Sequence, residues 1–369
     1  MKVFFYVQHL LGIGHLKRAA VLAAALRKAG IDVTLASGGV PVAGIEVDVQ
    51  LPPASAADLT FRTLLDQARQ PVDDDWKRSR AAALLDAWRA ARAEVLLVEL
   101  FPFGRRQMRF ELLPLLEDAR RLTPRPLVVC SVRDLIQSRP EREAETVSLV
   151  ERFFDRILVH GDPRLASFER TFAAAARFGK KLQYTGYVVA EMPASREHGS
   201  EVLVSAGGGA VGRRLLECAM LAREQTLLRG ATWRVLAGVN CAEADYRALE
   251  RLVRPGIALE RSRDDFTVLL GKCALSISQA GYNTVTETLQ ARVHAVLVPF
   301  AGGGESEQGL RAQLLVERGA ACVADERTLS PQTLAEAVNR AVRAPLPPAG
   351  VVDLNGAARS AELLKRWRR

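Results

Sequence analysis

His15 stands directly behind Gly12-Ile13-Gly14, at the start of a helical pattern that runs to Gly30. An imidazole titrates near working pH, so a histidine at a helix start beside a substrate can serve as general base. Gly12 and Gly14 let the backbone turn tightly and approach a ligand, and the helix N-terminus behind them favours an anion. Lys17 occupies the place of the third glycine in a GxGxxG fingerprint, which disfavours a dinucleotide. A capping or packing histidine explains the same local pattern, and these residues alone leave both readings open.

Two further stretches have the types and spacing for ligand chemistry. Ser205-Ala206-Gly207-Gly208-Gly209-Ala210-Val211-Gly212 leads into a helical pattern over 213–223. Amide donors of Gly207, Gly208 and Gly209 at a helix start suit a pyrophosphate, although a plain tight turn has the same appearance. The GK[ST] of a Walker A loop is missing, so no ATPase is implied. Farther on, Ser278-Gln279-Ala280-Gly281-Tyr282-Asn283-Thr284-Val285-Thr286-Glu287 spans a strand–loop–helix junction, and Gly302-Gly303-Gly304-Glu305-Ser306-Glu307-Gln308 follows the next strand. A carboxylate one turn into a helix can grip the two vicinal hydroxyls of a ribose. Ser278, Gln279, Asn283, Thr284, Glu307 and Gln308, with the backbone at Ala280 and Gly281, can meet phosphate and sugar; a solvated loop and an exposed helix carboxylate are the bland alternative.

These groups need strands to carry them. Short continuous apolar runs at 2–7, 31–36, 95–98, 127–130 and 157–159 alternate with helical patterns at 15–29, 76–92 and 141–154. That rhythm means a parallel sheet covered on both faces. A polar stretch at 192–200 reads as a linker. A second cycle of strands follows at 202–204, 233–236, 257–259, 274–277, 295–298 and 321–323. The expected fold is α/β, with two Rossmann-like domains facing a cleft. Their expected bounds are 1–190 and 200–345, followed by a C-terminal helical segment, 346–369, which can cross back to the first domain. Asp73-Asp74-Asp75 reads as a charge run in a loop, and Asp264-Asp265 as helix N-cap chemistry.

In the first domain, Glu99 ends a parallel strand and Arg105, Arg106 and Arg109 follow it, while Ser131-Val132-Arg133-Asp134 ends the next strand. Ligands bind at such carboxyl ends. Glu99, Arg105, Arg106 and Arg133 are therefore candidates for recognising an acceptor, with structural ion pairs as the equal alternative.

Composition narrows the classes. The chain has 369 residues, 49% hydrophobic and 25% charged, an ordinary folded balance that excludes a disordered protein. The net charge of +9 is spread evenly, +5 over residues 1–195 and +4 beyond. This favours an anionic substrate or an acidic membrane surface over nucleic acid, and 6% aromatics is too sparse for base stacking. Five separated cysteines suggest neither a disulfide framework nor a zinc site, and point to a reduced, cytoplasmic setting. No stretch reaches the ~20 apolar residues that span a bilayer, which leaves peripheral contact at an inner membrane as the membrane expectation.

The stretch from Leu275 to Gly319 resembles the C-terminal domain of family 28 glycosyltransferases of the GT-B fold, the MurG type. The resemblance is carried by Ser278, Gly281, Thr286-Glu287, Val298-Pro299-Phe300, Gln308, Ala312 and Gly319, and extends back to the second glycine loop. It implies a nucleotide-sugar donor, most simply UDP-linked, such as UDP-GlcNAc. Glu287 would hold the ribose, Gly207 to Gly209 would face the diphosphate, and Gln308 would contact the donor sugar. It also implies inversion at the anomeric carbon without metal or other cofactor.

Gly12-Ile13-Gly14-His15-Leu16-Lys17-Arg18 is similar to the first glycine loop of the MurG type, and to the Gly-x-Gly-His-x-x-Arg of the PseG UDP-sugar hydrolases. Both likenesses imply a catalytic His15 and differ on whether it activates an acceptor hydroxyl or water. The arginine that the MurG type carries near the domain junction has no counterpart in Thr185-Gly186-Tyr187-Val188-Val189. The acceptor is not identified by sequence, and a non-catalytic nucleotide-sugar-binding protein is the reading from another class.

Overall fold

The computed structural model describes residues 1–58, 61–137, 139–192, 199–208, 211–302 and 306–368. These fall into two units, Met1–Val189 with Val352–Arg369, and Ala190–Val351.

The first unit is built on β1 (Lys2–Val7), whose side chains from Val3 on are buried. It leads through the glycine loop into α1 (Gly14–Lys28), which buries Leu16, Ala19, Leu22, Ala23 and Leu26 at helical spacing. Strands β2 (Asp32–Ser37) and β3 (Val49–Gln50) follow, then a small antiparallel pair, β4 (Ser55–Ala56) and β5 (Leu64–Leu65). Helix α2 (Asp74–Ala91) precedes β6 (Val95–Glu99), and α3 (Arg109–Arg121) precedes β7 (Leu127–Arg133). Helix α4 (Glu143–Phe153), β8 (Arg156–His160) and β9 (Leu182–Tyr184) complete the unit's own strands. The sheet order is β3-β2-β1-β6-β7-β8-β9, all parallel, with an apolar core on each face.

The second unit repeats the plan with β10 (Val202–Ser205), α5 (Arg213–Ala222), β11 (Trp233–Leu236), α6 (Glu243–Glu250), β12 (Ile257–Glu260) and α7 (Phe266–Lys272). The remaining elements are β13 (Leu275–Ser278), α8 (Tyr282–Ala291), β14 (His294–Leu297), α9 (Glu307–Glu317), β15 (Cys322–Val323) and α10 (Pro331–Arg343). Its parallel order is β12-β11-β10-β13-β14-β15. The α/β class and two Rossmann-like units agree with the sequence expectation.

The chain then rejoins the first unit through α11 (Gly356–Trp367), which packs Ala361, Leu363 and Leu364 into the same core as α1. Tyr187 N donates to Asp353 O at 2.7 Å, and Gly356 N to Tyr187 O at 3.0 Å. The Thr185-Gly186-Tyr187 turn is thus occupied in holding the returning segment.

The aspartate runs differ from their sequence reading. Asp73 caps α2 by accepting from Trp76 N at 2.8 Å, and Asp74 and Asp75 form the first helical turn, where carboxylates complement the dipole. The run is therefore helix start rather than loop. Asp265 sits at the N-cap of α7, yet its carboxylate pairs with Arg263 at 2.7 Å instead of capping the helix. Helix start and nearby guanidinium compete for one carboxylate, and the charged partner wins.

A Cβ added at Gly356 would lie 2.6 Å from Tyr187 C. Gly356→Ala is expected to lower stability by about 1–3 kcal/mol, the usual cost of overpacking, read as a lower urea midpoint with an unchanged slope.

Candidate functional site

In both sheets the strand order reverses beside the first strand of the unit, between β1 and β6 and between β10 and β13. Open α/β sheets bind ligands at the carboxyl ends of strands at such a reversal. Four of the stretches singled out by sequence leave from these strand ends; Ser131-Val132-Arg133-Asp134 ends β7, and the loop before Gln308 follows β14.

In the first unit, β1 delivers His15 and β6 delivers Glu99. His15 Nδ1 lies 3.0 Å from Glu99 Oε1, and Arg18 also donates to that oxygen. His15 and Arg18 are one helical turn apart, so α1 presents both on one face. Ser131, paired with Glu99 across β6 and β7, donates to Glu99 Oε2 at 2.7 Å. Glu99 is 1% exposed. Burial alone would raise its pKa, but Arg18 and the hydrogen bonds from His15 and Ser131 hold it below the usual carboxylate range. An ionised Glu99 only accepts, so His15 carries its hydrogen on Nδ1 and the neutral ring has its lone pair on Nε2. Among the described residues, Nε2 makes no hydrogen bond. Burial, and then the Arg105 guanidinium, push the His15 pKa down to about 3.

Arg105 adopts φ 59° and donates Nε to Gln8 O at 2.8 Å. Its terminal amino groups have no hydrogen bond or carboxylate partner among the described residues. Burial, followed by the charge of Arg133, brings its pKa down to about 10. Arg105 and Arg133 therefore face each other's charge near His15. Arg106 and Arg109 instead pair with Glu145 on α4, Arg106 at 2.6 Å, so these two go to structural ion pairs.

The second unit brings its two loops together. Ser205 Oγ accepts from Gly207 N at 3.2 Å, and Gly207 has φ +64°, which favours glycine. Gly212 has φ +130°, and a Cβ there would sit 2.7 Å from that of Ala206. Gln279 Nε2 donates to Val211 O at 3.4 Å, tying the loop after β13 to the loop after β10. Gly209 lies outside the described residues. Arg311, 1% exposed on α9, donates to Ala280 O at 3.1 Å and fixes the turn at Ala280-Gly281. Ser278 Oγ is buried without a partner among the described residues. Asn283 and Thr284 lie in the first turn of α8, and Glu287 in its second, all partly buried.

Gln308 Oε1 accepts from Phe300 N at 3.1 Å, so this side chain closes the loop after β14. Glu307, at 2% exposure, is buried at the start of α9. Three helices, α1, α5 and α8, follow the first and reversal strands. None has a capping side chain or an acidic residue in its first turn. Helix starts of this kind suit an anion.

Sequence reasoning missed three residues here. Arg18 was visible only as the end of a motif. His160, buried at the end of β8, could have been found by asking what ends each parallel strand. Arg311 is a buried cation beside an apolar helix face, which sequence cannot distinguish from a solvated one. Among the described residues, no helix is long and apolar enough to cross a membrane.

Residues 261–364 match the glycosyltransferase family 28 C-terminal domain. The UDP-N-acetylglucosamine–N-acetylmuramyl-(pentapeptide) pyrophosphoryl-undecaprenol N-acetylglucosamine transferase of Thermotoga neapolitana is 30% identical over 179 residues, 48% of this chain and 50% of the relative. That of Burkholderia orbicola is 29% identical over 234 residues, 61% of this chain and 59% of the relative. The matches thus span about half the length of these relatives. Among solved structures, Acinetobacter baumannii MurG has TM-score 0.58 and 16% identity, over 99% of this chain and 100% of that one. The glycotransferase of kitacinnamycin has TM-score 0.61 and 18% identity, over 99% and 98%.

His9, His15 and His160 have pKa values lowered to about 4, 3 and 3, first by burial. Between these values and the unfolded value the unfolded chain binds more protons, so stability rises with pH in that window. It is expected to fall as pH drops from about 6.5 towards 4, by up to roughly 1.4 kcal/mol per pH unit for each histidine. Urea unfolding at pH 7 and pH 5 measures this; equal stability at both would contradict it. Residues 261–364 thus match the glycosyltransferase family 28 C-terminal domain, in a chain of two Rossmann-like units that shares the GT-B fold of solved glycosyltransferases.

Proposed function

We propose that this chain is an inverting, metal-independent glycosyltransferase that moves a sugar from a UDP-sugar to a hydroxyl of an anion-bearing acceptor. The observation that carries this reading is the His15–Glu99 pair at the first strand reversal. It is an oriented, neutral base with Nε2 available, in a chain whose residues 261–364 match the family 28 C-terminal domain. UDP-GlcNAc is the first donor to try, because the curated relatives are N-acetylglucosamine transferases by name.

Chemically, the acceptor oxygen attacks the anomeric carbon from the face opposite the diphosphate. The carbon–oxygen bond to the diphosphate breaks, and its electron pair leaves with UDP. The acceptor proton goes to His15 Nε2, and Glu99 balances the imidazolium through Nδ1–H. In the second unit, Gly207, Gly208, Gly281 and the starts of α5 and α8 take the diphosphate charge in place of a metal ion. Glu287 accepts from the ribose hydroxyls, and Ser278, Gln279, Asn283 and Thr284 line the donor. Gly209, Glu307 and Gln308 belong to the same donor assignment, Gln308 through the loop that it closes.

Arg105 supports the anionic acceptor. Its partly desolvated guanidinium beside His15 disfavours protonation of the base. An acceptor phosphate or carboxylate on Arg105, with Arg133 behind it, would remove that penalty and make His15 more basic when the acceptor is bound. The relatives named above act on a pyrophosphoryl-linked substrate, which fits this chemistry. The basic surplus supports peripheral contact with an acidic bilayer where such a lipid-linked acceptor would reside.

The test is UDP formation from UDP-GlcNAc with a polyprenyl-pyrophosphoryl sugar as acceptor. His15→Ala is expected to lower kcat by about 10²–10⁴-fold, and Arg105→Ala to raise the acceptor KM with little change in donor KM. Glu287→Ala is expected to weaken UDP binding by roughly tenfold or more, the worth of hydrogen bonds to a charged group. Turnover retained in His15→Ala would remove the base assignment. UDP and free sugar released at full rate without acceptor would make the chain a hydrolase.

A further inference from the structure

Behind Glu99, away from His15, a line of buried polar side chains continues across the sheet. Ser131 Oγ lies 2.7 Å from Glu99 Oε2 and 2.9 Å from His160 Nε2. His160 Nδ1 lies 3.0 Å from Thr185 Oγ1, which is in turn 2.7 Å from Gly186 O. Ser131, His160 and Thr185 are each at most 1% exposed. Apolar side chains would fill these positions at lower cost, since a buried polar chain is expensive unless every member is satisfied.

The hydrogens can be counted. Four contacts run from Glu99 to Gly186 O, and neutral Ser131, His160 and Thr185 supply three hydrogens. Ionised Glu99 only accepts, so Ser131 spends its hydrogen there. One contact therefore goes without a hydrogen; Ser131 Oγ keeps lone pairs for His160, and with that contact filled the imidazole hydrogen is on Nε2. Nδ1 is then an acceptor and takes the hydrogen of Thr185, which makes Thr185 Oγ1–Gly186 O the contact without one. The charge of Glu99 fixes the first donor, Ser131, and the filled Ser131–His160 contact fixes the rest of the line.

We propose that Ser131 and His160 are positioning residues for His15, acting through Glu99. Thr185 donates to His160, His160 to Ser131, and Ser131 to Glu99. This one-way line pins Oε2, so Oε1 stays fixed beneath His15 Nδ1–H and Nε2 stays the basic nitrogen. The catalytic significance rests on the reading of His15 as base; the tautomers do not. The charged and titratable groups around the line are His15 and Arg18 on α1, Glu99 at the end of β6, Arg105 in the loop after it, and Cys130 and Arg133 on β7.

The test begins with long-range nitrogen–proton NMR of the histidine rings in the full wild-type chain, without substrate. His160 as the Nε2–H tautomer and His15 as Nδ1–H are expected; either one in the opposite tautomer overturns the proposal. In Ser131→Ala, His15 is expected to become a mixture of tautomers, and Ser131→Thr to restore it. Unchanged His15 nitrogen shifts in folded Ser131→Ala would also overturn it.

With UDP-GlcNAc and the lipid-linked acceptor, Ser131→Ala and His160→Leu are expected to lower kcat by roughly tenfold or more, as for one lost hydrogen bond to a charged group. Donor KM should stay within about twofold of wild type on the same ground. His160→Gln, which keeps an N–H towards Ser131, is expected to recover most of kcat. Loss in KM alone would overturn the positioning role. If His15→Ala stays active while the tautomers are as stated, the base reading fails and the line itself stands.

Discussion

The first unit depends on one buried carboxylate. Glu99 ends a central strand at 1% exposure, where an ion costs several kcal/mol unless it is paired and hydrogen-bonded. Arg18, His15 and Ser131 meet that requirement from α1 and β7. The Gly-x-Gly-His-x-x-Arg motif is thereby explained as a geometric unit. The glycines turn the chain out of β1, and the next helical turn sends two side chains to one carboxylate. The backbone immediately after Glu99 bends through Leu100 at φ 66° and Arg105 at φ 59°, non-glycine left-handed positions of the kind that gather at functional sites.

A second buried ion pair braces the same loop from the other side. Arg80, on α2, bonds Glu111 Oε2 at 2.6 Å and Gln8 Oε1 at 2.5 Å, and Tyr6 donates to Glu111. Gln8 in turn lends its carbonyl to Arg105. The chemistry-bearing side chains are therefore held by rigid elements rather than by the loops alone. The second unit solves its problem with less charge. Arg311 fixes Ala280 O, and Gln279 ties two loops.

Much of this was legible in the sequence. Continuous apolar strands alternating with amphipathic helices announced parallel sheets, because only strands buried on both faces read that way. The glycine loops announced strand–helix turns, and His15 stood out as a titratable group at one of them. Glu99 was visible as a strand-end carboxylate, but not its bond to His15, since 84 residues separate them and only the strand order brings β1 beside β6. For the same reason Arg105 and Arg106 looked equivalent. They diverge because Arg105 turns back to Gln8 while Arg106 meets Glu145 on the next helix. His160 was visible only as a strand-end histidine, because its partner Ser131 lies on a neighbouring strand.

The central claim is that ionised Glu99 makes His15 the base. Glu99→Gln keeps the shape of the side chain and removes its charge. Turnover of UDP-GlcNAc with the lipid-linked acceptor and the Kd for UDP, measured on this variant and wild type, test the claim directly. The account predicts that kcat falls by about 10²-fold or more, the scale on which a base held in the wrong tautomer loses activity, while UDP binds as in wild type. A kcat within about twofold of wild type, which in free energy is less than one ordinary hydrogen bond, would contradict it.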